Sequence, residues 1–480
     1  MEFSINMTDS DLKKSHVSKK NLEGKFVKKK NPFLKILLSL ILVIAIGGGL
    51  YFVYKGYVVG KEIGFNFSPS ELIQKKKDPE LKKDSTNTYT NVLLVGIDTR
   101  KNTKLLNTDV IIVGSYNHKT KDLTMFSIPR DFWARPVSDR TSFTKINAAY
   151  SINEGKKEGE GLPALELVVE EILGIEIQYH AMINFDGFTQ LIDSVDGVYV
   201  NVENSFTDYQ YPQGNGYQTI SFKQGPQLMD GETALKYARS RKSQQNNEGS
   251  DYARAKRQQK VINAFIDKLL STETLLNPSK LMSLLTSVQN NLKISEFTLD
   301  DIVASVNILK NIKDENPTFS TYSFVLDPTI GNYSLITADI GIEGFAIGPK
   351  EGLGKYTKIN EYVDLALLYP ALYSENPSVF VYDTGLGYKT SNTQTQELKT
   401  KFKYLNIRFQ GTKYSDKEGV YIYSNEIDKF SKSVDILAKY IDTENKIKPE
   451  YITVNTAGDI SILLGKEIIV EDINNSDITE

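Results

Sequence analysis

The pattern of apolar and polar positions divides the chain into stretches of different kind. Residues 36–54 form an unbroken uncharged run of 19 residues between Lys35 and Lys55. At 1.5 Å per residue a helix of that length spans the hydrocarbon core of a bilayer, about 30 Å. After a polar stalk at 55–90, strand-like runs alternate with helical ones from Asn91 to about residue 270. Strands are expected at 92–97 (VLLVGI), 109–115 (DVIIVGS), 123–128 (LTMFSI), 179–184 and 198–202. Helices are expected near 164–173, ending at Gly174, and near 186–194. Residues 271–370 are less regular, with helical stretches near 279–290 and 299–312. A second alternation begins at 378 (SVFVY), after a segment at 370–377 (PALYSENP) that reads as a linker. It continues through helices near 393–403 and 427–440 and strands at 419–423, 451–454 and 459–464. Such alternation predicts an α/β (α+β) fold, with a small, separate αβ domain after the main one. The expected divisions are a basic tail at 1–35, a transmembrane helix at 36–54, a stalk at 55–90, a main domain at 91–370, an αβ domain at 378–468 and a polar tail at 469–480.

Charge sharpens this picture. Over 480 residues, 57 Lys and Arg oppose 60 Asp and Glu, a formal net of −3. Residues 1–55 hold ten Lys and four acids, a net of +6, which leaves −9 for 56–480. A basic tail before an apolar run places the N-terminus in the cytoplasm and the rest outside, as a single-pass anchor. A cleaved signal peptide would need an n-region of about 35 residues, longer than a whole typical signal. The acidic outer body argues against a nucleic-acid partner. No cysteine is present, which excludes disulfides, a thiol nucleophile and Cys-ligated metal. His16, His118 and His180 are the only histidines and form no motif. Any metal chemistry must then use hard oxygen ligands and a cation such as Mg²⁺, Mn²⁺ or Ca²⁺.

The candidate chemistry gathers at strand ends. The strand at 92–97 ends in Asp98, and the next begins at Asp109. The turn-rich link 117–122 makes a hairpin of the two strands that follow, so Asp109 lies at the same end as Arg130. Antiparallel pairing of 92–97 with 109–115 would bring Asp98 to the same rim. Strand-end aspartates often cap turns, but two carboxylates crowded beside an arginine also suit a divalent cation. Farther on, 227–242 reads as a helix with Asp230 as N-cap, carrying Arg239, Arg241 and Lys242 at its C-terminal end. Asp251 is the expected N-cap of a helix running to about residue 270. On that helix Arg254 and Gln258 continue the apolar stripe of Val261, Ile262, Phe265 and Leu269. A guanidinium there either snorkels to the surface, pairs with a buried acid, or faces a pocket whose anion is the ligand. The third reading places Arg254 on the wall of a cavity shared with Arg130 and Arg239. Trp133 and His180 are expected to be packing residues.

In chain order, 91–100 (NVLLVGIDTR), Thr108-Asp109, 127–131 (SIPRD), 145–150 (KINAAY), 184–188 (NFDGF), Gly231 with 237–241 (YARSR), and Asp251 with Arg254 and 257–259 (RQQ) resemble the LytR-CpsA-Psr (LCP) family of cell-envelope glycopolymer transferases. The resemblance is strong over 90–270 and weaker to 370. The segment from Val379 to about Gly465 resembles the LytR C-terminal domain. The resemblance implies an LCP-type fold, a mixed central sheet flanked by helices, and a Mg²⁺-assisted phosphotransferase (Mn²⁺ being the alternative ion). Its substrates would be a polyprenyl-pyrophosphate-linked glycan, such as a teichoic acid or capsule precursor, and a peptidoglycan hydroxyl. By position, Asp98 and Asp109 match the metal-associated acids. Arg130, Arg239, Arg241 and Arg254 match the pyrophosphate-binding arginines, and Gln258 matches the motif glutamine. Two departures stand out. Asn107 stands where the family usually has an arginine two residues before the second acid, on a loop from Asp98 one residue shorter, so that one phosphate clamp is either missing or supplied by Arg100 or Arg135; and the spacer from Arg241 to Arg254 is long. A non-catalytic lipid-pyrophosphate binder or scaffold, and a pyrophosphatase on the same carrier, remain alternatives. The C-terminal domain, whose sole arginine is Arg408, is expected to bind rather than to catalyse.

Overall fold

The computed structural model describes residues 79–466 apart from 99–105, 138–141, 215, 271–287, 289, 454–456 and several short stretches between 296 and 345. The basic tail, the expected anchor at 36–54, most of the stalk, the helix expected near 279–290 and the tail at 469–480 therefore lie outside the described residues. Among the described residues no helix is long and apolar enough to cross a membrane.

The central sheet has six strands. Strand β1 (Tyr89–Ile97) pairs antiparallel with β2 (Thr108–Asn117), which pairs antiparallel with β3 (Leu123–Ser127). β4 (Tyr179–Asn184) lies parallel to β1 on its other side. These strands are rich in Val, Ile and Leu because both faces are covered; Leu93, Ile112 and Val113 have no exposed surface. Near the C-terminal end of β1 the register with β2 shifts at Gly96 and Ile97, so that Ile97 pairs with Thr108. Only glycine fits at 96, since a Cβ there would lie 2.8 Å from Val110 Cγ2. This bulge falls two residues before Asp98, at the rim where the sequence expected a site.

Helix α1 (Ala149–Lys156) and helix α2 (Gly161–Leu173), which ends on left-handed Gly174 at φ 74°, cover one side of the sheet. Helix α3 (Phe185–Asp193) follows β4, and β5 (Val198–Val202) follows α3. Next comes a hairpin not among the expected strands, β6 (Phe206–Gln213) and β7 (Gly216–Phe222), and then β8 (Gly225–Met229), paired with β5. Helix α4 (Gly231–Arg239) is capped by the Asp230 carboxylate, which accepts from Thr233 N–H at 2.8 Å. Residues 227–229, expected ahead of that cap, are strand. Arg241 and Lys242, expected at the helix end, lie beyond it. Helix α5 (Asp251–Leu270) contains Asp251 in its first turn. The cap is Ser250, whose Oγ accepts from Ala253 N–H at 3.0 Å, so the expected cap at Asp251 is corrected. β9 (Leu292–Ile294) and β10 (Thr321–Val325) close the sheet as β9-β4-β1-β2-β3-β10.

Helix α6 (Thr357–Leu368) is followed by helix α7 (Pro370–Glu375). The expected linker is therefore helical. Pro370 occupies its first turn, where proline is pre-organised, and Asn376 ends it in the left-handed region at φ 43°. Ala371, Leu372 and Tyr373 are buried, so the segment packs rather than loops. The C-terminal sheet has the order β12-β11-β14-β13, built from β11 (Ser378–Asp383), β12 (Asn406–Thr412), β13 (Val420–Ser424) and β14 (Ile460–Leu464). Helix α8 (Tyr388–Lys401) and helix α9 (Ile427–Tyr440) complete it. The strand expected at 451–454 is absent from the described part of that segment; Tyr451 and Ile452 instead pack on the sheet face formed by Tyr382, Tyr423 and Leu463. One apolar cluster runs from Leu93 and Phe126 through Tyr362, Leu372 and Tyr373 to Val379, Phe402 and Ile462. The central and C-terminal sheets thus share a continuous core.

Candidate active site

The rim expected from the hairpin argument is formed. Asp98 and Asp109 stand at facing ends of β1 and β2, and Arg130 follows β3. Arg130 Nη1 donates to Asp109 Oδ1 at 2.8 Å. Burial works against the Arg130 charge, but the adjacent Asp109 carboxylate outweighs it and holds the guanidinium above its ordinary value. The loop carrying Arg130 is buttressed by the 145–150 segment. Asn147 N–H donates to the Arg130 carbonyl at 3.2 Å, and Lys145 Nζ meets Asp131 Oδ1 at 2.7 Å.

A cavity of about 240 Å³ opens at this rim. Its wall gathers Asp98, Asp109, Arg130, Arg239, Arg241, Arg254 and Gln258, together with Lys242, Asp208 and the hairpin side chains Gln210, Tyr211, Pro212 and Tyr217. All seven residues singled out from sequence meet there. Arg135 does not; its guanidinium lies 4.6 Å from the centroid of the Phe143 ring. Arg100 lies outside the described residues. His180 pairs with Glu166 at 2.8 Å and Trp133 pairs with Lys145 in a short ladder, both away from the cavity wall.

Each arginine is held differently. The Arg239 guanidinium carbon lies 3.9 Å from the ring centroid of Phe185, an electrostatic attraction to the π face. Phe185 is placed by Asn184, which caps α3 by accepting from Gly187 N–H at 2.8 Å. Arg241 and Lys242 are aimed through their backbones. Asp208, 1% exposed, accepts from Ser240 Oγ at 2.8 Å, Lys242 N–H at 3.1 Å and Arg241 N–H at 3.2 Å. Burial alone would raise the Asp208 carboxyl, but these donors and Gln210 N–H favour the charged form and hold it below the ordinary carboxylate value. Arg254 Nη1 lies 3.1 Å from Asp251 Oδ1 on its own helix. Burial, aggravated by the like charges of Arg130 and Arg241, pulls Arg254 below its ordinary value despite Asp251. Arg254 therefore combines two of the readings open from sequence, having both an acid partner and a place on the cavity wall.

The Arg257-Gln258-Gln259 run clamps α5 on three sides. Arg257 is almost fully buried and donates to the carbonyls of Tyr237, Ser240 and Glu248 and to the Glu248 carboxylate. It thereby joins the end of α4 to the 243–250 segment. Gln258 Nε2 donates to the Ala238 carbonyl at 3.3 Å while lining the cavity. Gln259 Nε2 donates to Ser127 Oγ at 2.9 Å and to the Phe324 carbonyl at 2.8 Å, which fixes the helix on the central sheet. Asp208 and Arg257 were not singled out from sequence. The available signals were an acid within a strand-like run for one and membership of the RQQ motif for the other.

Among the described residues no ion pair engages Arg239, Arg241 or Lys242, although Arg130 and Arg254 each have an acid partner. The cavity wall carries five cations and three carboxylates. One of the three, Asp208, is already saturated by donors. Such a wall is complementary to an anion with several oxygens, which guanidinium forks grip in pairs. Asp98 and Asp109 add hard oxygen donors at the same place. Among the described residues no group of three or more acid or His side chains is arranged to hold a metal ion by itself.

The model of the LytR_cpsA_psr family matches residues 54–339, well over half of the sequence. The chain belongs to the LytR-CpsA-Psr family. Among relatives, it is 32% identical over 276 residues to a polyisoprenyl-teichoic acid–peptidoglycan teichoic acid transferase TagU of Oceanobacillus iheyensis, covering 56% of this chain and 79% of that one. It is 28% identical over 305 residues to biofilm regulatory protein A of Streptococcus mutans, covering 60% of this chain and 70% of that one. Among solved structures, B. subtilis TagV aligns at 25% identity with a TM-score of 0.43, over 59% of this chain and 98% of that one. TagT bound to LI-WTA aligns at 22% identity with a TM-score of 0.40, over 59% and 92%. The LCP match covers the rim, the arginines and α5, and ends before α6.

Proposed function

We propose that this LCP protein is a membrane-anchored extracytoplasmic phosphotransferase, moving a glycopolymer phosphate from a polyprenyl-pyrophosphate carrier to a peptidoglycan hydroxyl. The observation that carries the reading is the single cavity in which Arg239, Arg241 and Lys242, without acid partners among the described residues, face Asp98 and Asp109. The relatives named as teichoic acid transferases support the donor and acceptor classes.

In the reaction, the acceptor hydroxyl oxygen attacks the glycan-side phosphorus of the pyrophosphate. The bond from that phosphorus to the bridging oxygen breaks, and polyprenyl monophosphate leaves with the bond's electrons. The hydroxyl proton passes to a carboxylate on the rim. Arg130, Arg239, Arg241 and Arg254 bind the two phosphates and stabilise the charge that builds on the bridging oxygen. Asp98 and Asp109 suit a Mg²⁺ ion, which characteristically takes one or two protein carboxylates and completes its shell with substrate phosphate and water. When bound, that ion would neutralise phosphate charge and favour departure of the monophosphate. The 36–54 run would tether the chain beside its lipid substrate.

Incubation of the full chain in detergent with a polyprenyl-pyrophosphate glycan, peptidoglycan and Mg²⁺ tests the proposal. Release of lipid monophosphate with glycan phosphate on peptidoglycan is the expected result. Lipid monophosphate with free glycan phosphate would identify a pyrophosphatase, and intact substrate would leave a binding protein.

A further inference from the structure

The cavity has two chemically different walls. The inner wall is charged, as described. The outer wall belongs to the β6–β7 hairpin, which adds four neutral side chains, Gln210, Tyr211, Pro212 and Tyr217, to the buried and fully hydrogen-bonded Asp208. Tyr211 is committed to Arg239, whose Nη1 lies 3.4 Å from its hydroxyl. Tyr217 is not committed. It is 73% exposed while lining the cavity, and among the described residues no ring or cation packs on it. It faces Pro212 directly across the hairpin ladder, so the two make one apolar surface at the lip. Gln210 reaches the cavity because of an irregularity in β6. The register shifts between Asp208 and Tyr211, so that Tyr209 and Gln210 together stand opposite Thr219, one residue more than a regular ladder holds, and Gln210 N–H donates to Asp208 Oδ1 at 2.9 Å. Bulges of this sort re-aim a side chain beside a site. The same Asp208 holds the backbone of Arg241 and Lys242, so one buried carboxylate ties the neutral wall to the charged one.

Resting on the transferase reading, we infer that the β6–β7 hairpin is a sugar-binding lip. Tyr217 stacks on the pyranose joined to the pyrophosphate, Pro212 extends the apolar surface, and the Gln210 amide meets that sugar's hydroxyls. The ordering of chemistry along the cavity matches the ordering along such a donor, with an anion first and a neutral polyhydroxylated ring next. A pyranose has an apolar C–H face suited to an exposed aromatic ring, and a hydroxyl edge suited to an amide. Tyr199, Tyr209 and Tyr388 are about as exposed, but Tyr217 also lines the charged cavity, where its ring is available to a ligand.

The test is calorimetric titration of the full chain in detergent with two probes, farnesyl pyrophosphate and the same molecule bearing N-acetylglucosamine on its terminal phosphate. The wild type should bind the sugar-bearing probe more tightly. Tyr217→Ala should remove most of that preference, a loss of about five- to tenfold, while affinity for farnesyl pyrophosphate stays within about twofold. Tyr217→Phe should keep the preference, because stacking uses the ring face. An unchanged preference in Tyr217→Ala, an equal loss on both probes, or a wild type without any preference would overturn the sugar lip and leave the pyrophosphate reading standing. A wild type that binds neither probe would overturn the pyrophosphate reading itself and the sugar lip with it.

Discussion

Replacing Asp208 by Asn separates the charge of this buried carboxylate from its shape. Four donors converge on it: Ser240 Oγ, Arg241 N–H and Lys242 N–H on Oδ2, and Gln210 N–H on Oδ1. An asparagine keeps one acceptor oxygen and turns an NH₂ group toward at least one donor. One hydrogen bond is lost outright, and the rest lose their charge assistance. Hydrogen bonds to charged groups contribute about 1.5–3 kcal/mol each, and a buried donor left unsatisfied costs about 1–3 kcal/mol. Partial retention of the other bonds brings the expected loss to about 2–4 kcal/mol. The pH dependence has a definite sign. The folded-state carboxyl lies below its ordinary value because four donors favour its charged form, so its contribution is fully present above that ordinary value and is lost as pH falls through the folded-state pKa. The gap between wild type and Asp208→Asn in urea unfolding should therefore be constant near neutrality and shrink below about pH 4. Because Arg241 and Lys242 depend on the same carboxylate, farnesyl pyrophosphate affinity should fall about tenfold or more at pH 7. Equal stability and equal affinity in the two proteins would refute the role given to Asp208.

Other consequences follow from the same geometry. Arg254→Ala should weaken farnesyl pyrophosphate binding at least about tenfold with little change in melting temperature, since relief of crowding with Arg130 and Arg241 offsets the lost Asp251 contact; a large loss of stability with normal binding would make Arg254 structural. Arg257→Met should cost about 3–5 kcal/mol, because it leaves Glu248 without its buried partner and three carbonyls unsatisfied. Adding Glu248→Gln should recover part of that loss in denaturant unfolding; no recovery would count against the pair. A chain ended after Tyr369 loses Leu372 and Tyr373 from the shared core and uncovers Tyr362, whose ring meets those of Tyr373 and Tyr404 at 5.7 Å each. Removing one buried aromatic costs about 3–5 kcal/mol, so the truncated chain should melt well below the parent and bind a hydrophobic dye; an unchanged melting temperature would show that the two sheets fold independently.

The parts of the site that sequence made visible are those fixed by local periodicity. The rim of Asp98, Asp109 and Arg130 follows from a hairpin whose turn is written in 117–122, and Arg254 drew notice because a guanidinium sat on an apolar stripe. The parts that stayed hidden depend on partners remote in sequence. Asp208 serves backbone groups more than thirty residues away, and Arg257 serves carbonyls of another helix and loop; neither leaves a periodic trace. The β6–β7 hairpin has a turn signal, Gly214-Asn215-Gly216, but the extra residue in β6 breaks the two-residue alternation ahead of it, so the strand is harder to read than its turn. The segment 370–377 looked like a linker because prolines flank it, yet Pro370 starts a helix there. Residues 451–454 resemble a strand in composition, but Tyr451 and Ile452 cover a sheet face instead of joining its edge.

The proposed transfer requires that the arginines around Asp98 and Asp109 form a pyrophosphate site. A crystal structure of the chain soaked with farnesyl pyrophosphate tests it most directly. Density for two phosphorus atoms is expected inside the cavity, bounded by Arg130, Arg239, Arg241 and Arg254, and absent from a crystal of Arg239→Ala soaked identically. Phosphate density elsewhere on the surface, for example against Arg135, or an unaltered site in the Arg239→Ala crystal, would contradict it.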